Sequence, residues 1–349
     1  MSDNRDDVLD SGLPASRSAG VFGTTVSADA ARLILLPVPW EATTSYGRGT
    51  ARGPAAILRA SHQLDLFDGA FGEFYKKAGI HMLPENPRLH GLNDHASVHA
   101  HNVIASFDEG AAPRQADLAA VNADSASVNR MIAEEAQTWL GRGKLCGVVG
   151  GDHSSPYGLI AALAEQHSDG FDILQFDAHH DLREAYEGFT DSHASIMFNV
   201  LERIPQVKHL VQVGIRDYSR GEHDYALKSN GRVAVHYDRN LFAAKAAGRT
   251  FAAATAEILA GLGPRVYVSF DIDGLDPAHC PGTGTPVPGG LSFSEAMYIL
   301  EALAVSGRSV VGFDLCEVAP SRDGSEWDAN VGARVLYKLC GLALTQVRG

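Results

Sequence analysis

Short apolar runs alternate along the chain with longer segments in which apolar residues recur every three or four positions. The runs at 32–38, 145–149, 171–176, 210–214, 233–236, 265–270 and 309–313 are dominated by aliphatic and aromatic side chains, as expected of strands buried on both faces. Between them, 54–64, 128–140, 157–166, 251–259 and 294–304 carry the period of helices. The alternation predicts an α/β fold: a single three-layer αβα domain whose central, mostly parallel sheet presents functional groups at the carboxyl ends of its strands. That domain spans 31–349. Residues 1–30 form an N-terminal arm whose first two dozen residues are polar, rich in Ser and Asp and aromatic-poor apart from Phe22. Such an arm is either flexible or ordered against a neighbouring subunit.

Composition narrows the classes. A net charge of −13 over 349 residues argues against a nucleic-acid partner and permits a cationic substrate. The sequence has no apolar stretch of membrane-spanning length and no signal-peptide core, so a cytoplasmic protein without a membrane partner is expected. Cys146, Cys280, Cys316 and Cys340 are widely spaced and read as reduced thiols, with Cys280 and Cys316 as small apolar filler. Gly282-Thr283-Gly284 is followed by Thr285-Pro286-Val287-Pro288, which makes it a rigid turn rather than a phosphate loop opening a helix.

Three segments, each directly after an apolar run, carry the chemistry: Gly-Gly-Asp-His-Ser at 150–154, Asp-Ala-His-His-Asp at 177–181 and Asp-Ile-Asp at 271–273. Alternate side chains of a strand share a face, so Asp177, His179 and Asp181 follow one spacing, Asp271 and Asp273 repeat it, and His153 joins from a third strand end. Four carboxylates brought together repel one another unless cations neutralise them, so the set describes a cage for two metal ions. Carboxylates with two imidazoles suit Mn²⁺, and Ni²⁺, Co²⁺ or Zn²⁺ can also bind such a set. A lone Asp-X-Asp pair is more often a turn or a helix cap; the coincidence of three carries the metal reading. His90, His95, His99 and His101 are interleaved with Leu, Ala and Val and look like a helix or loop rather than a further metal site.

These segments resemble the signature of the ureohydrolase family, the arginase and agmatinase group, and the likeness runs from about residue 33 to the C-terminus. The family motifs stand here as GGDHS, DAHHD, SFDIDGLDP at 269–277 and PGTGTPVPGGL at 281–291, with Glu317 in CEVAP and an agmatinase-type entry loop in SYGRGTARGP at 45–54. The resemblance implies an arginase-like fold and two divalent ions, Ni²⁺ or Mn²⁺. His153, Asp177, Asp181 and Asp271 would hold one, Asp177, His179, Asp271 and Asp273 the other, with Asp177 and Asp271 bridging. It also implies three catalytic residues: Asp181 orients an activated water, His193 shuttles a proton, and Glu317 pairs with a guanidinium group. His180 has no ligand role in the family and reads as an outer neighbour of the site or a surface residue.

Departures from the family pattern bear on the substrate. The chain has His193-Ala194-Ser195-Ile196-Met197-Phe198 where many relatives read His-Gly-Thr, adding apolar bulk without an acidic partner for a distal ammonium. Segment 79–105, GIHMLPENPRLHGLNDHASVHAHNVIA, reads as a long inserted loop, a binding element or an interface. Together these features resemble the branch acting on free guanidine, small alkylated guanidines and biguanides such as metformin, a branch associated with nickel. Trp327 and Asp328 are then expected near Glu317. The expected enzyme attacks the guanidinium carbon of a small cationic guanidine-type substrate and releases urea or a urea derivative with ammonia or an amine. By resemblance it is a homo-oligomer, trimer or hexamer, with a paralogous partner also open. An agmatinase or guanidinobutyrase is the alternative. A non-catalytic metal-binding subunit should have lost ligands or Glu317, and none is missing; the motifs also argue against an amide deacetylase.

Overall fold

A computed structural model describes residues 16–345 except 17 and 322, with the side chain of 77 also left out. The apolar runs pair into one sheet of β1 (Leu33–Val38), β2 (Ile80–Met82), β3 (Leu145–Gly150), β4 (Phe171–Phe176), β5 (Val207–Val213), β6 (Val233–His236), β7 (Arg265–Asp271) and β8 (Ser309–Cys316). The order of these eight strands is β2-β1-β3-β8-β7-β4-β5-β6, and every pairing is parallel. The expected mostly parallel sheet is therefore wholly parallel among the described residues.

Period-two alternation assigns the two faces. Leu33, Leu35, Leu174, Phe176, Val211 and Val213 pack into one buried cluster; Ile34, Leu36, Val38, Phe171, Ile173 and Leu210 pack into another. Helices cover both faces, as a parallel sheet requires. Phe176 of β4 stacks on Phe270 of the adjacent β7 with ring centroids 4.8 Å apart, and burying each such ring contributes about 1.5–3 kcal/mol. The last helix, Trp327–Thr345, is buried along much of its length and closes the first cluster.

Several elements differ from the sequence expectation. Segment 79–105 is not a long loop: after β2, Asn86 accepts a hydrogen bond from the Arg88 N–H and starts a helix, Pro87–Asp108, with Pro87 in its first turn, where a missing N–H costs nothing. The helix expected at 128–140 begins much earlier and runs Gln115–Leu140. These two helices pack as an antiparallel pair, with Ala100, Val103, Val121 and Phe189 forming a small cluster of their own. The first half of the arm, 1–15, lies outside the described residues. Further on, Val21 and Phe22 are buried, the Phe22 N–H donates to Ser61 Oγ at 2.8 Å, and its ring meets Tyr337 edge-on at 4.9 Å.

The chain order places β3 before β4, yet β8 and β7 lie between them in the sheet. A crevice opens at the carboxyl ends of strands where the order reverses in this way. The three acidic motifs and Glu317 all sit on it.

Candidate metal centre

The local geometry of each motif follows from side chains that cap their own backbone. Asp177 Oδ1 accepts the His179 N–H at 2.6 Å, and Asp271 Oδ1 accepts the Asp273 N–H at 2.9 Å, the two-residue span of an Asx turn. Asp273 Oδ1 in turn accepts the Ala178 N–H at 3.0 Å, tying the β4 and β7 motifs together. The strand spacing predicted for 177–181 is thus replaced by a turn: β4 ends at Phe176, and Asp181 sits at φ 55°, left-handed backbone uncommon outside glycine. In the β3 motif, a Cβ on Gly151 would lie 1.8 Å from the Trp40 carbonyl oxygen, so only glycine lets the chain bend His153 into the crevice.

His153 Nδ1 lies 2.9 Å from Asp177 Oδ2, 3.0 Å from Asp181 Oδ2 and 3.2 Å from Asp271 Oδ2. His179 Nδ1 lies 3.2 Å from Asp273 Oδ2 and 3.5 Å from Asp177 Oδ1. Two groups able to hold an ion result, His153-Asp177-Asp271 and Asp177-His179-Asp273, sharing Asp177. The five residues other than His179 are buried.

The donor set fits divalent cations. The Ser269 hydroxyl donates to Asp314 Oδ1 at 3.2 Å and so accepts from His153 Nε2–H at 2.8 Å. That tautomer leaves the buried His153 Nδ1 without a hydrogen-bond partner, its lone pair facing three carboxylate oxygens, an arrangement a cation resolves. The cluster is also proton-hungry. Burial, then the Asp177 charge, pushes the Asp181 carboxyl up to about 7; burial, then Asp273 and Asp177, pushes Asp271 well up. Burial opposes charge on His153, but Asp177, Asp181 and Asp271 outweigh it and hold its pKa well above the usual value. Divalent ions compete with these protons for the same lone pairs.

Residues 31–341 match the arginase family. The chain belongs to that family. It is 35% identical over 313 residues to the N(1)-aminopropylagmatine ureohydrolase of Thermus thermophilus, covering 89% of this chain and 90% of that one. It is 30% identical over 301 residues to the agmatinase of Bacillus anthracis, covering 86% and 88%. The crystal structure of a hypothetical agmatinase from Burkholderia thailandensis superposes with a TM-score of 0.71 at 26% identity, covering 95% of this chain and 91% of that chain. As an arginase-family member the protein is a ureohydrolase-type hydrolase acting on amidino C–N bonds, with the single α/β domain and parallel sheet described above.

In this arginase-family chain Glu317 sits just beyond β8 at φ 67°. Its Oε1 accepts the His153 N–H at 3.0 Å, while Oε2 is buried without a partner. Burial, then the Asp152 charge, raises its pKa well above the usual range. A Cβ on Gly284 would come within 2.7 Å of that free oxygen, so glycine keeps the approach open. Asp328 fixes the turn that carries Gly284 by accepting the Gly282 N–H at 2.8 Å; Trp327 is 53% exposed and does not line the site. His193 is buried with its Nδ1 unpartnered, and burial, then the charges of His179 and His153, push its pKa down to about 4.

His179, Asp181 and His193 open onto a cavity of about 350 Å³ also lined by Tyr46, Arg183, Tyr186, Asp217, Tyr218, Glu222 and Pro286. Asp217 and Glu222 correct the expectation of a mouth without acidic groups. Sequence reasoning missed both because they follow β5, far from the motifs; the legible trace was the capping box Ser219-Arg220-Gly221-Glu222, formed as its pattern specifies. Glu222 is occupied by Ser219 and by Arg183, whose Nε lies 3.5 Å away, whereas Asp217 is exposed. Three histidines of the 79–105 segment pair with carboxylates, His90 with Glu85, His95 with Asp124 and His99 with Asp117, and the His95 and His99 rings meet edge-on at 4.7 Å. All four cysteines are free and buried.

Proposed function

We propose that this chain hydrolyses a C–N bond of a small guanidine-type cation at a centre of two divalent ions, Mn²⁺ or Ni²⁺, releasing urea or a urea derivative with ammonia or an amine. The reading is carried by the buried His153 Nδ1 lone pair aimed at three carboxylate oxygens beside a free oxygen of Glu317. His153, Asp177, Asp181 and Asp271 would hold one ion and Asp177, His179, Asp271 and Asp273 the other. Ions bound there supply a water acidic enough to attack at neutral pH. Glu317 Oε2 takes the N–H face of the planar cation in a charge-assisted contact. Asp181 accepts a hydrogen bond from the attacking water and orients it. His193, held neutral by burial and lining the cavity, receives a proton and passes it to the leaving amine.

The substrate proposed is free guanidine, a short N-alkylguanidine or a biguanide. Arg183 supports this: held 4.9 Å from the Tyr186 ring, it lies 3.5 Å from Glu222 and so compensates a carboxylate of the cavity lining that a distal ammonium would otherwise use. Ala194, Pro286 and Val287 supply apolar wall. An aminoalkylguanidine such as agmatine is the second reading, favoured by the exposed Asp217 carboxylate and by the names of the relatives. Initial rates over a panel of guanidine, N-alkylguanidines, a biguanide, agmatine and arginine at matched metal loading decide between them, with acetate release from acetylated amines as the control for amide chemistry. The guanidines or the biguanide should give the highest kcat/KM. Agmatine ahead by about tenfold, or 1.4 kcal/mol, overturns the substrate and leaves the metal chemistry standing.

A further inference from the structure

We propose that Gln175 and Gln212 are positioning residues for the metal centre: a cross-strand pair of buried amides that fixes the orientation of Asp177, the carboxylate shared by both ligand groups. The inference rests on the metal reading above and extends it to residues that touch neither an ion nor substrate.

Gln175 on β4 and Gln212 on β5 are direct register partners and both are fully buried. They share the sheet face of Ile173 and Leu210, which pack into an apolar cluster, so folding alone gives no reason for two amides here. Every polar atom of the pair is used. Gln175 Nε2–H donates to Asp177 Oδ2 at 2.7 Å. Gln212 Nε2–H donates to Gln175 Oε1 at 2.6 Å and to the His180 carbonyl at 2.9 Å. His180 Nδ1–H donates to Gln212 Oε1 at 2.6 Å, and the Tyr237 hydroxyl reaches His180 Nε2 at 3.4 Å.

The direction of this chain is determined from its inner end. A carboxylate only accepts, so Gln175 must turn its NH₂ toward Asp177 and its carbonyl toward Gln212. Gln212 must then donate with both N–H groups, and its carbonyl selects the Nδ1–H tautomer of His180. Carboxamides do not exchange charge near neutral pH, so the chain orients a group and does not conduct a proton. With Oδ2 held by Gln175 and Oδ1 held by the His179 N–H at 2.6 Å, the remaining lone pairs of Asp177 are left for ions: Oδ2 lies 2.9 Å from His153 Nδ1 and Oδ1 lies 3.5 Å from His179 Nδ1. Hydrogen bonds of this kind behind a ligand preset its geometry before an ion arrives.

The test compares full-length wild type with Gln175→Met, Gln212→Met and Gln212→Glu. For each, dissociation constants for Mn²⁺ and Ni²⁺ are measured by chelator competition, the Ni²⁺ d–d absorption is recorded, and the Tm of metal-free protein is taken. Gln175→Met should weaken binding about tenfold to a hundredfold and shift the d–d bands, while the metal-free Tm holds or rises. Gln212→Met should move in the same direction by less, because Gln175 still reaches Asp177. Gln212→Glu should exceed it, since oxygen then faces both Gln175 Oε1 and the His180 carbonyl. Both methionine variants binding two ions with wild-type affinity and spectrum would overturn the inference alone. A wild type that binds no pair of ions overturns the metal reading and this inference with it. Should Gln175→Met not fold, the order of the two Gln212 variants decides.

Discussion

Replacing Glu317 with Gln isolates the contact proposed to select guanidinium. The substitution keeps the shape and can keep the Oε1 contact to the His153 N–H at 3.0 Å, but it exchanges the free, buried Oε2 for an NH₂ that points at the cation. A hydrogen bond to a charged group contributes about 1.5–3 kcal/mol. At roughly 1.4 kcal/mol per tenfold, its loss lowers kcat/KM by about ten- to 150-fold, and repulsion between the new amide hydrogens and the cation moves the result to the upper end. Metal content should stay at two ions per chain, because Glu317 belongs to neither ligand group. The assay is initial-rate kinetics of urea or amine release at fixed metal loading, with metal analysis of the same samples. A variant within about threefold of wild type, less than 0.7 kcal/mol, would refute the guanidinium contact; a variant that loses metal would make Glu317 part of the cage.

Three further outcomes follow from the same geometry. His193→Ala should keep both ions and slow kcat about a hundredfold or more, the loss typical of a positioned proton carrier; unchanged kcat with lost metal would make His193 a ligand. Gly284→Ala sets a Cβ 2.7 Å from Glu317 Oε2 and should raise KM with little change in metal content, and a wild-type KM would show that the cation does not approach by this oxygen. Asp217→Asn should leave the kcat/KM for free guanidine within about threefold, an exposed carboxylate contributing under 1 kcal/mol; a selective loss toward agmatine in the same panel would identify Asp217 as the distal-ammonium partner.

Much of the site was legible because its motifs are short, polar and placed directly after strong strand signals. In 171–176 and 265–270 most residues are aliphatic or aromatic, with Asp172, Gln175 and Ser269 among them, and Asp177 and Asp271 cap the turns that follow, so spacing grouped the candidate ligands even though residues 177–181 turn rather than extend. The helical pair over 87–140 was hidden by composition. Its buried positions include Ala96, Ala100 and Ser125, small residues that allow close helix approach yet scarcely raise the hydrophobic period. The start signal Asn86-Pro87 was present and outweighed by the surrounding His, Asn and Asp. The mouth was illegible for a different reason. Asp217, Tyr218 and Arg183 come from separate connections after β4 and β5 and meet only in space, so no local pattern links them. The Gln175–Gln212 pair likewise depends on strand register, which sequence periodicity does not supply.

The central claim is that two divalent ions share Asp177. The most direct measurement is the metal stoichiometry of wild type and Asp177→Asn by elemental analysis, after each is stripped and reconstituted with Mn²⁺ and, separately, Ni²⁺. The account predicts two ions per chain for wild type and one or none for the variant, with activity lost in step, because the shared carboxylate serves both groups. Two tightly held ions in Asp177→Asn, or a wild type that is active with none, would contradict it.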